Sequence, residues 1–184
     1  MRLANSLRYF YLAYFSKPVS ERAIYRAIGR TRARRILEIG IGDPARTLRM
    51  IHLARRFSDG QPVSYAAIDL FEARPATSGP NLSLKEAHRQ LKATRARIQL
   101  IPGDPAQALA RVANSLPNID LVLISAEHSD ASLAEAWFYF PRMLHGGSVV
   151  FREFAGAASG STTLKRLDAS EIRSLAGASR RRAA

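Results

Sequence analysis

Ile36-Leu37-Glu38-Ile39-Gly40-Ile41-Gly42-Asp43-Pro44 is the stretch that decides the fold. An apolar run broken by one acid reads as a strand buried on both faces, which is the pattern of a parallel sheet. Two glycines one residue apart let the backbone turn tightly. They also let a ligand approach where a Cβ would intrude. Asp43 suits the N-cap of a helix, and Pro44 suits its first position, where a missing N–H costs nothing. The segment therefore predicts a strand, a glycine turn and a helix whose N-terminus faces a bound ligand.

Outward from this stretch the chain alternates regularly. Residues 35–41 form the predicted first strand, and 44–57 a helix with Met50, Ala54 and Phe57 on one face. Residues 62–70 predict a second strand after the Asp59-Gly60 turn, followed by a polar loop over 73–82. Ser83 and Glu86 have capping-box spacing and open a helix. A third strand covers 97–102, and Asp104 starts the next helix. A fourth strand covers 119–125, and Ser129 or Asp130 caps a helix running to residue 144. His145-Gly146-Gly147 predicts a turn before a fifth strand over 148–154.

Strands alternating with helices through short connections imply parallel pairing and right-handed crossovers. The expected fold is α/β, a doubly wound, mostly parallel sheet with helices on both faces. Such sheets bind ligands beyond the C-terminal strand ends, where the strand order reverses. Polar or glycine-rich residues gather at that edge: Gly40-Ile41-Gly42, Asp69, Gly103-Asp104, Ser125-Ala126-Glu127-His128 and Arg152-Glu153.

Three regions are expected: an N-terminal helical extension (1–34), the α/β core (35–160) and a shortened C-terminal segment with a basic tail (161–184). The extension holds Tyr9, Phe10, Tyr11, Tyr14, Phe15 and Tyr25, and Pro18 divides it into two helices with Ser16 or Ser20 as caps. It packs on the sheet edge, covers a ligand, forms a dimer surface or lies at an interface. In the C-terminal segment, 161–167 reads as a short strand, with Asp168 or Ser170 capping a last helix.

The 184 residues suit one domain, and 47% hydrophobic content fills a core. With no cysteine, disulfides, thiolate zinc sites and cysteine nucleophiles are excluded. The formal charge of +13 attracts polyanions such as nucleic acid or anionic lipid, or else marks a solvated, arginine-rich surface. No apolar run reaches membrane-spanning length and no signal peptide is legible, so the cytoplasm is expected by elimination. A homo-oligomer is compatible with the sequence.

The glycine turn alone is ambiguous. Ala45 replaces the last glycine of a dinucleotide fingerprint, and no phosphate-binding lysine follows. Glu38 and Asp69 are acceptors at strand ends. Asp69 suits two ribose hydroxyls, and two carboxylates together would repel a pyrophosphate but favour a cationic nucleoside. Alternatively, each is paired with an arginine. Read together they point to S-adenosylmethionine, which carries a ribose, an ammonium and a sulfonium, and no phosphate.

On these residues the chain resembles the class I S-adenosylmethionine-dependent methyltransferases over roughly residues 35–154. Glu38-x-Gly40-x-Gly42 stands in the family's E/D-x-G-x-G-x-G position, with Pro44 at the third glycine. Asp69 stands at the ribose-binding position and Gly103-Asp104 at the adenine segment. Leu144-His145-Gly146-Gly147-Ser148-Val149-Val150-Phe151 is similar to the family's approach to the fifth strand. Asp69-Leu70-Phe71-Glu72, Ser83-Leu84 and Ile119–Ile124 followed by Ala126–Ser129 are similar to macrocin-type O-methyltransferases.

The resemblance implies a Rossmann-like methyltransferase fold with S-adenosylmethionine lined by Glu38, Gly40, Ile41, Gly42, Asp69, Leu70, Asp104 and Ser125. It implies O-methylation of a small-molecule acceptor, with His128 as the candidate base because histidine titrates near neutrality. An exposed or hydrogen-bonding loop histidine is the alternative. His52, His88 and His145 receive no role. The macrocin-type metal positions hold Ser125, Glu127, Arg152 and Glu153, which speaks against a divalent metal.

Two other functions fit the same residues. A nucleic-acid methyltransferase fits the charge but lacks an Asn/Asp-Pro-Pro-Tyr/Phe motif after the fourth strand. A non-catalytic relative fits the altered metal positions and the short C-terminal region, and expects bulky side chains in the pocket.

Overall fold

The sheet is built outward from β1 (Arg35–Ile39), the strand of the opening segment, and its order is β3-β2-β1-β4-β5-β6. A computed structural model describes residues 2–74, 82–156 and 162–183. The other strands are β2 (Ser64–Asp69), β3 (Arg97–Pro102), β4 (Ile119–Ile124), β5 (Leu144–Ala155) and β6 (Thr162–Leu167). The helices are α1 (Arg2–Tyr14), α2 (Glu21–Thr31), α3 (Pro44–Phe57), α4 (Leu84–Lys92), α5 (Pro105–Val112), α6 (Asp130–Leu133), α7 (Phe140–Met143) and α8 (Ala169–Ala183).

β1 to β5 are parallel, and β6 pairs with β5 antiparallel. Glu38 lies between Ala67 and Leu123, and Ile39 between Ile68 and Ile124. The strand order reverses between β1 and β4, so the ligand-binding crevice of such sheets falls there.

Alternate residues of each strand feed two cores. Ile36, Tyr65, Leu121, Leu123 and Phe151 pack with Ile24, Ile28, Met50 and Leu91 on one face. Leu37, Ile39, Ile68, Val122 and Ile124 pack with Leu109, Trp137, Phe140 and Ile172 on the other. Each such side chain contributes about 1.5–3 kcal/mol on burial. A slip of one residue would exchange the two sets of side chains, so both cores fix the register.

Helix starts follow the sequence signals. Asp43 accepts from the N–H groups of Ala45 (2.9 Å) and Arg46 (3.2 Å). Asp104 accepts from Ala106 (2.9 Å), and Ser83 from Glu86 (3.1 Å). Asp168 accepts from Ser170 (2.7 Å) and Glu171 (2.8 Å) at the start of α8.

Three local expectations are corrected. The helix expected from 130 to 144 is split into α6, a 3₁₀ turn (Ala136–Tyr139) and α7. Pro141 has no N–H for the Trp137 carbonyl, which accepts from Phe140 instead. His145-Gly146-Gly147 lies within β5 rather than in a turn. Leu144 pairs with Ile119, the register shifts, and the Ser148 hydroxyl closes the irregularity by donating to the Ile119 carbonyl (2.7 Å). Ser20 makes no side-chain cap, because its helical backbone (φ −56°) turns the hydroxyl away from the next amides. The Ser16 hydroxyl donates back to the Leu12 carbonyl at 2.6 Å.

Much of the polar loop expected over 73–82 lies outside the described residues. Among the described residues, β6 is the one strand after β5, and Leu167 and Ile172 carry β6 and α8 into the second core.

Candidate functional site

Gly40 sits where β1 ends, between the strands that flank the order reversal. Its N–H donates to Ile68 on β2 (2.8 Å), while Ser125 at the end of β4 donates to Ile39 (2.8 Å). Its φ of 81° lies in the left-handed region that favours glycine. A Cβ here would overlap the Glu127 carboxylate and come within 2.8 Å of Ser125 Cβ and 3.0 Å of His128 Nε2. The glycine turn thus lets Glu127 and His128 close over the β1 end. Gly42 is less crowded, its nearest neighbour being Arg46 Nη2 at 3.4 Å from an added Cβ.

Two ionic networks hold this edge. The deeper one centres on Arg46. Its Nη1 donates to Glu153 on β5 (2.6 Å) and its Nη2 to Glu38 on β1 (3.1 Å). Glu38 also accepts from Thr47 (2.8 Å) and from the Tyr65 hydroxyl (2.6 Å). Glu38 has no exposed surface, so the acceptor expected to face a ligand instead ties α3 to the sheet. Burial raises the Glu153 carboxyl above its ordinary range against the pull of Arg46. Burial and the adjacent Glu38 carboxylate raise the Tyr65 phenol well above its own.

The outer network centres on Arg74, just after the 3₁₀ turn Phe71–Ala73. Arg74 Nη2 donates to Asp69 (2.5 Å) and to Glu127 (3.1 Å). Asp69 also accepts from the N–H groups of Ile41 (2.6 Å) and Phe71 (2.7 Å). The carboxylate therefore joins the glycine turn to the β2 end, and Arg74 is its one side-chain partner among the described residues. Burial raises the Glu127 carboxyl, and Arg74 opposes that shift.

The expected ligand-lining positions accordingly separate. Gly40, Ile41, Asp69 and Ser125 converge at the crevice. Asp104 is engaged in capping α5 through the Ala106 N–H, and Leu70 starts the turn that delivers Arg74.

The sequence reading missed Arg46 and Arg74. Arg46 carried a signal: a cation in the first turn of a helix opposes the helix dipole unless an acid holds it. Arg74 had the weaker signal of following Asp69 at a distance one turn can span.

His128 is 8% exposed, its N–H donates to Ser125 (3.2 Å), and its Nε2 has no hydrogen-bond partner among the described residues. Glu127 Oε1 lies 3.6 Å away, beyond a hydrogen bond. Burial lowers the imidazole's pKa, Asp69 and Asp104 oppose it, and Arg74 and Arg152 reinforce it. The ring is thus neutral near pH 7, with an acceptor or donor atom aimed at the glycine turn.

Because the folded value lies below the ordinary 6.5, the unfolded chain binds the proton more readily. His128 therefore contributes stability above pH 6.5 that is lost as pH falls from there through the folded value. Urea midpoints at about pH 7.5 and about pH 5.5 are expected to differ less in His128→Gln than in the unaltered protein.

The metal positions do not fit a divalent cation. Glu153 is held by Arg46, Glu127 by Arg74, and the Arg152 guanidinium pairs with Asp130 (2.5 Å) and takes the His128 carbonyl (3.2 Å). Cationic side chains thus fill the places where ligands would gather, and the described residues hold no cluster of three metal-ligating groups. Nor does any described helix have the length and apolar character to cross a membrane.

No family model matches the chain, and no curated protein matches it. Solved structures do. An O-methyltransferase from Bacillus cereus, in complex with S-adenosylhomocysteine, is 17% identical, with a TM-score of 0.53, covering 82% of this chain and 63% of that one. MycE, a methyltransferase of the mycinamycin biosynthetic pathway in complex with magnesium, S-adenosylhomocysteine and mycinamycin VI, is 21% identical. Its TM-score is 0.49, with 80% of this chain and 37% of that one covered. An S-adenosylmethionine-dependent methyltransferase from Clostridium acetobutylicum is 10% identical with a TM-score of 0.46, covering 96% and 87%.

The Bacillus cereus likeness speaks for the fold, the Rossmann-like architecture of the S-adenosylmethionine-dependent methyltransferases. The chain spans about 63% of that enzyme's length.

Proposed function

We propose that this chain, built on the methyltransferase fold, binds S-adenosylmethionine at the β1–β4 crossover and methylates an oxygen of a small molecule. One observation carries the reading. A left-handed glycine turn, a strand-end aspartate and a buried histidine whose Nε2 has no partner among the described residues meet where the strand order reverses. The turn at Gly40 to Gly42 gives the cofactor a close approach to backbone. The Ile41 and Phe71 amides hold Asp69 in place for ribose hydroxyls once Arg74 releases it.

When bound, S-adenosylmethionine would supply a methyl group on a cationic sulfur for transfer to an acceptor oxygen, leaving S-adenosylhomocysteine. His128 Nε2 takes the acceptor's hydroxyl proton, a role that its neutral state permits. Arg152, pairing with Asp130 and the His128 carbonyl, holds the β4–α6 turn that carries the base.

The Arg74 bridge between Asp69 and Glu127 favours a second reading, a non-catalytic relative with a blocked crevice. Calorimetry with S-adenosylmethionine and S-adenosylhomocysteine separates the two. The proposed function expects binding by the unaltered protein, tighter binding by Arg74→Ala and a loss of about tenfold or more in Asp69→Ala, since a buried carboxylate–hydroxyl contact is worth about 1.5–3 kcal/mol. Absence of binding by both the unaltered protein and Arg74→Ala overturns it in favour of the second reading.

A further inference from the structure

α1 and the loop after it expose more large apolar side chains than a solvated helix needs. Leu7, Phe10, Tyr11, Tyr14, Phe15 and Val19 are 69%, 53%, 58%, 46%, 58% and 64% exposed. The opposite face is anchored: Leu12 and Ala13 are buried, and Tyr9 packs edge-on against Phe57 at 5.0 Å between ring centres. The helix is therefore held with its apolar face outward. Phe10 lies 5.0 Å from Tyr14 and 5.7 Å from Phe15, ring centre to ring centre, so these three aromatics form one contiguous patch. Contiguous exposed apolar surface of this kind marks an interaction site.

The charge around the patch is of one sign. Residues 1–20 contain no Asp or Glu. Arg8 and Lys17 are exposed beside it, and the Arg26 guanidinium lies over the Tyr14 ring at 5.9 Å. Tyr14 also borders a cleft of about 710 Å³ between α2 and the β5–β6 pair. Arg26, Arg30 and Arg166 enter that cleft beside the Ser148 hydroxyl, with no carboxylate among its described lining residues.

We infer that this surface docks on an anionic lipid bilayer. The α1 aromatics and Leu7 seat at the headgroup–acyl boundary, and the arginine cleft takes lipid phosphates. Interfacial helices have this composition, aromatic and aliphatic on one side with Arg or Lys flanking. The surface potential of an anionic leaflet supplies the missing counter-charge. Charge decides against a second copy of the chain: a two-fold contact through α1 would set Arg8, Lys17 and Arg26 near their own equivalents. The aliphatic side chains of Leu7 and Val19 decide against nucleic acid, since they offer neither stacking nor hydrogen bonds to bases.

Vesicle co-sedimentation tests this with the full chain. Expected is strong binding to phosphatidylcholine vesicles containing about a third phosphatidylglycerol, weakened by salt, and at least about tenfold less to pure phosphatidylcholine. Phe10→Ser/Phe15→Ser and, separately, Arg30→Glu/Arg166→Glu are each expected to lower binding by about tenfold. Arg30 and Arg166 lie outside the aromatic patch, and none of the four residues belongs to either core, so the variants are expected to fold. The inference is overturned by equal binding to both vesicle types, by unchanged binding of the Phe10/Phe15 variant, or by a stable dimer in sedimentation velocity with no vesicle binding. Duplex DNA bound equally by the unaltered protein and the Phe10/Phe15 variant, without vesicle binding, overturns it as well.

Discussion

Arg46→Ala lowers the unfolding free energy by about 3–5 kcal/mol, the loss typical when one partner of a buried ion pair is removed. The guanidinium is 5% exposed and stands between two carboxylates that are 0% and 6% exposed. Without it, Glu38 and Glu153 lose the one cation that bridges them among the described residues. Glu153 then takes up a proton more readily as the pH falls, because burial already raises its pKa and the opposing pull of Arg46 is gone. The deficit is therefore expected to shrink as pH falls toward the carboxylate range, since a protonated Glu153 removes one of the two stranded charges. Urea unfolding of Arg46→Ala at neutral and mildly acidic pH measures both effects. An unfolding midpoint unchanged at neutral pH would show that the network is dispensable. Comparison with Glu38→Gln and the double variant isolates the coupling between the two side chains.

Gly40→Val is the second large effect. A β-branched residue at φ 81° carries backbone strain of about 1–3 kcal/mol. Its side chain meets the Glu127 carboxylate, Ser125 Cβ and His128 Nε2, which adds about 1–3 kcal/mol of overpacking. The folded fraction is expected to lose S-adenosylmethionine binding altogether, because the new methyl groups occupy the approach to the turn. Thermal melting by circular dichroism reads the stability, and calorimetry on the folded variant reads the site. Binding at the unaltered affinity by a folded Gly40→Val would remove the crevice from consideration. Gly60→Val is the control, since it shares a positive φ of 80° but has nothing among the described residues within 4 Å of an added Cβ.

The sheet was legible because its signals are local and mutually consistent. Strands with apolar residues on both faces, Asp43-Pro44 and Asp104-Pro105 all state their structure within a few residues. The broken helix after β4 was not, because Pro141 acts on a hydrogen-bond ladder that the apolar spacing of Leu133, Trp137 and Phe140 conceals. The candidate site was legible by position and only partly by state. Gly40, Asp69 and His128 could be placed at one edge from the strand ends alone. Which arginine meets which carboxylate depends on contacts between residues far apart in sequence, such as Arg46 with Glu153 and Arg74 with Glu127. Glu38 illustrates the difference. A carboxylate before a glycine turn reads as a ligand acceptor, and here the neighbouring helix and strand claim both its oxygens.

The Arg46 network also divides rigidity unevenly around the crevice. Its members come from α3, β1, β2 and β5, so that side of the opening is cross-linked through four elements. The Arg74 side hangs from a single short turn, and of its two carboxylate partners Asp69 is buried while Glu127 is 27% exposed. On the proposed function, a guest entering the cleft would displace one guanidinium rather than rearrange the framework. Selection for different guests can therefore act on the Arg74 turn while the foundation stays constant.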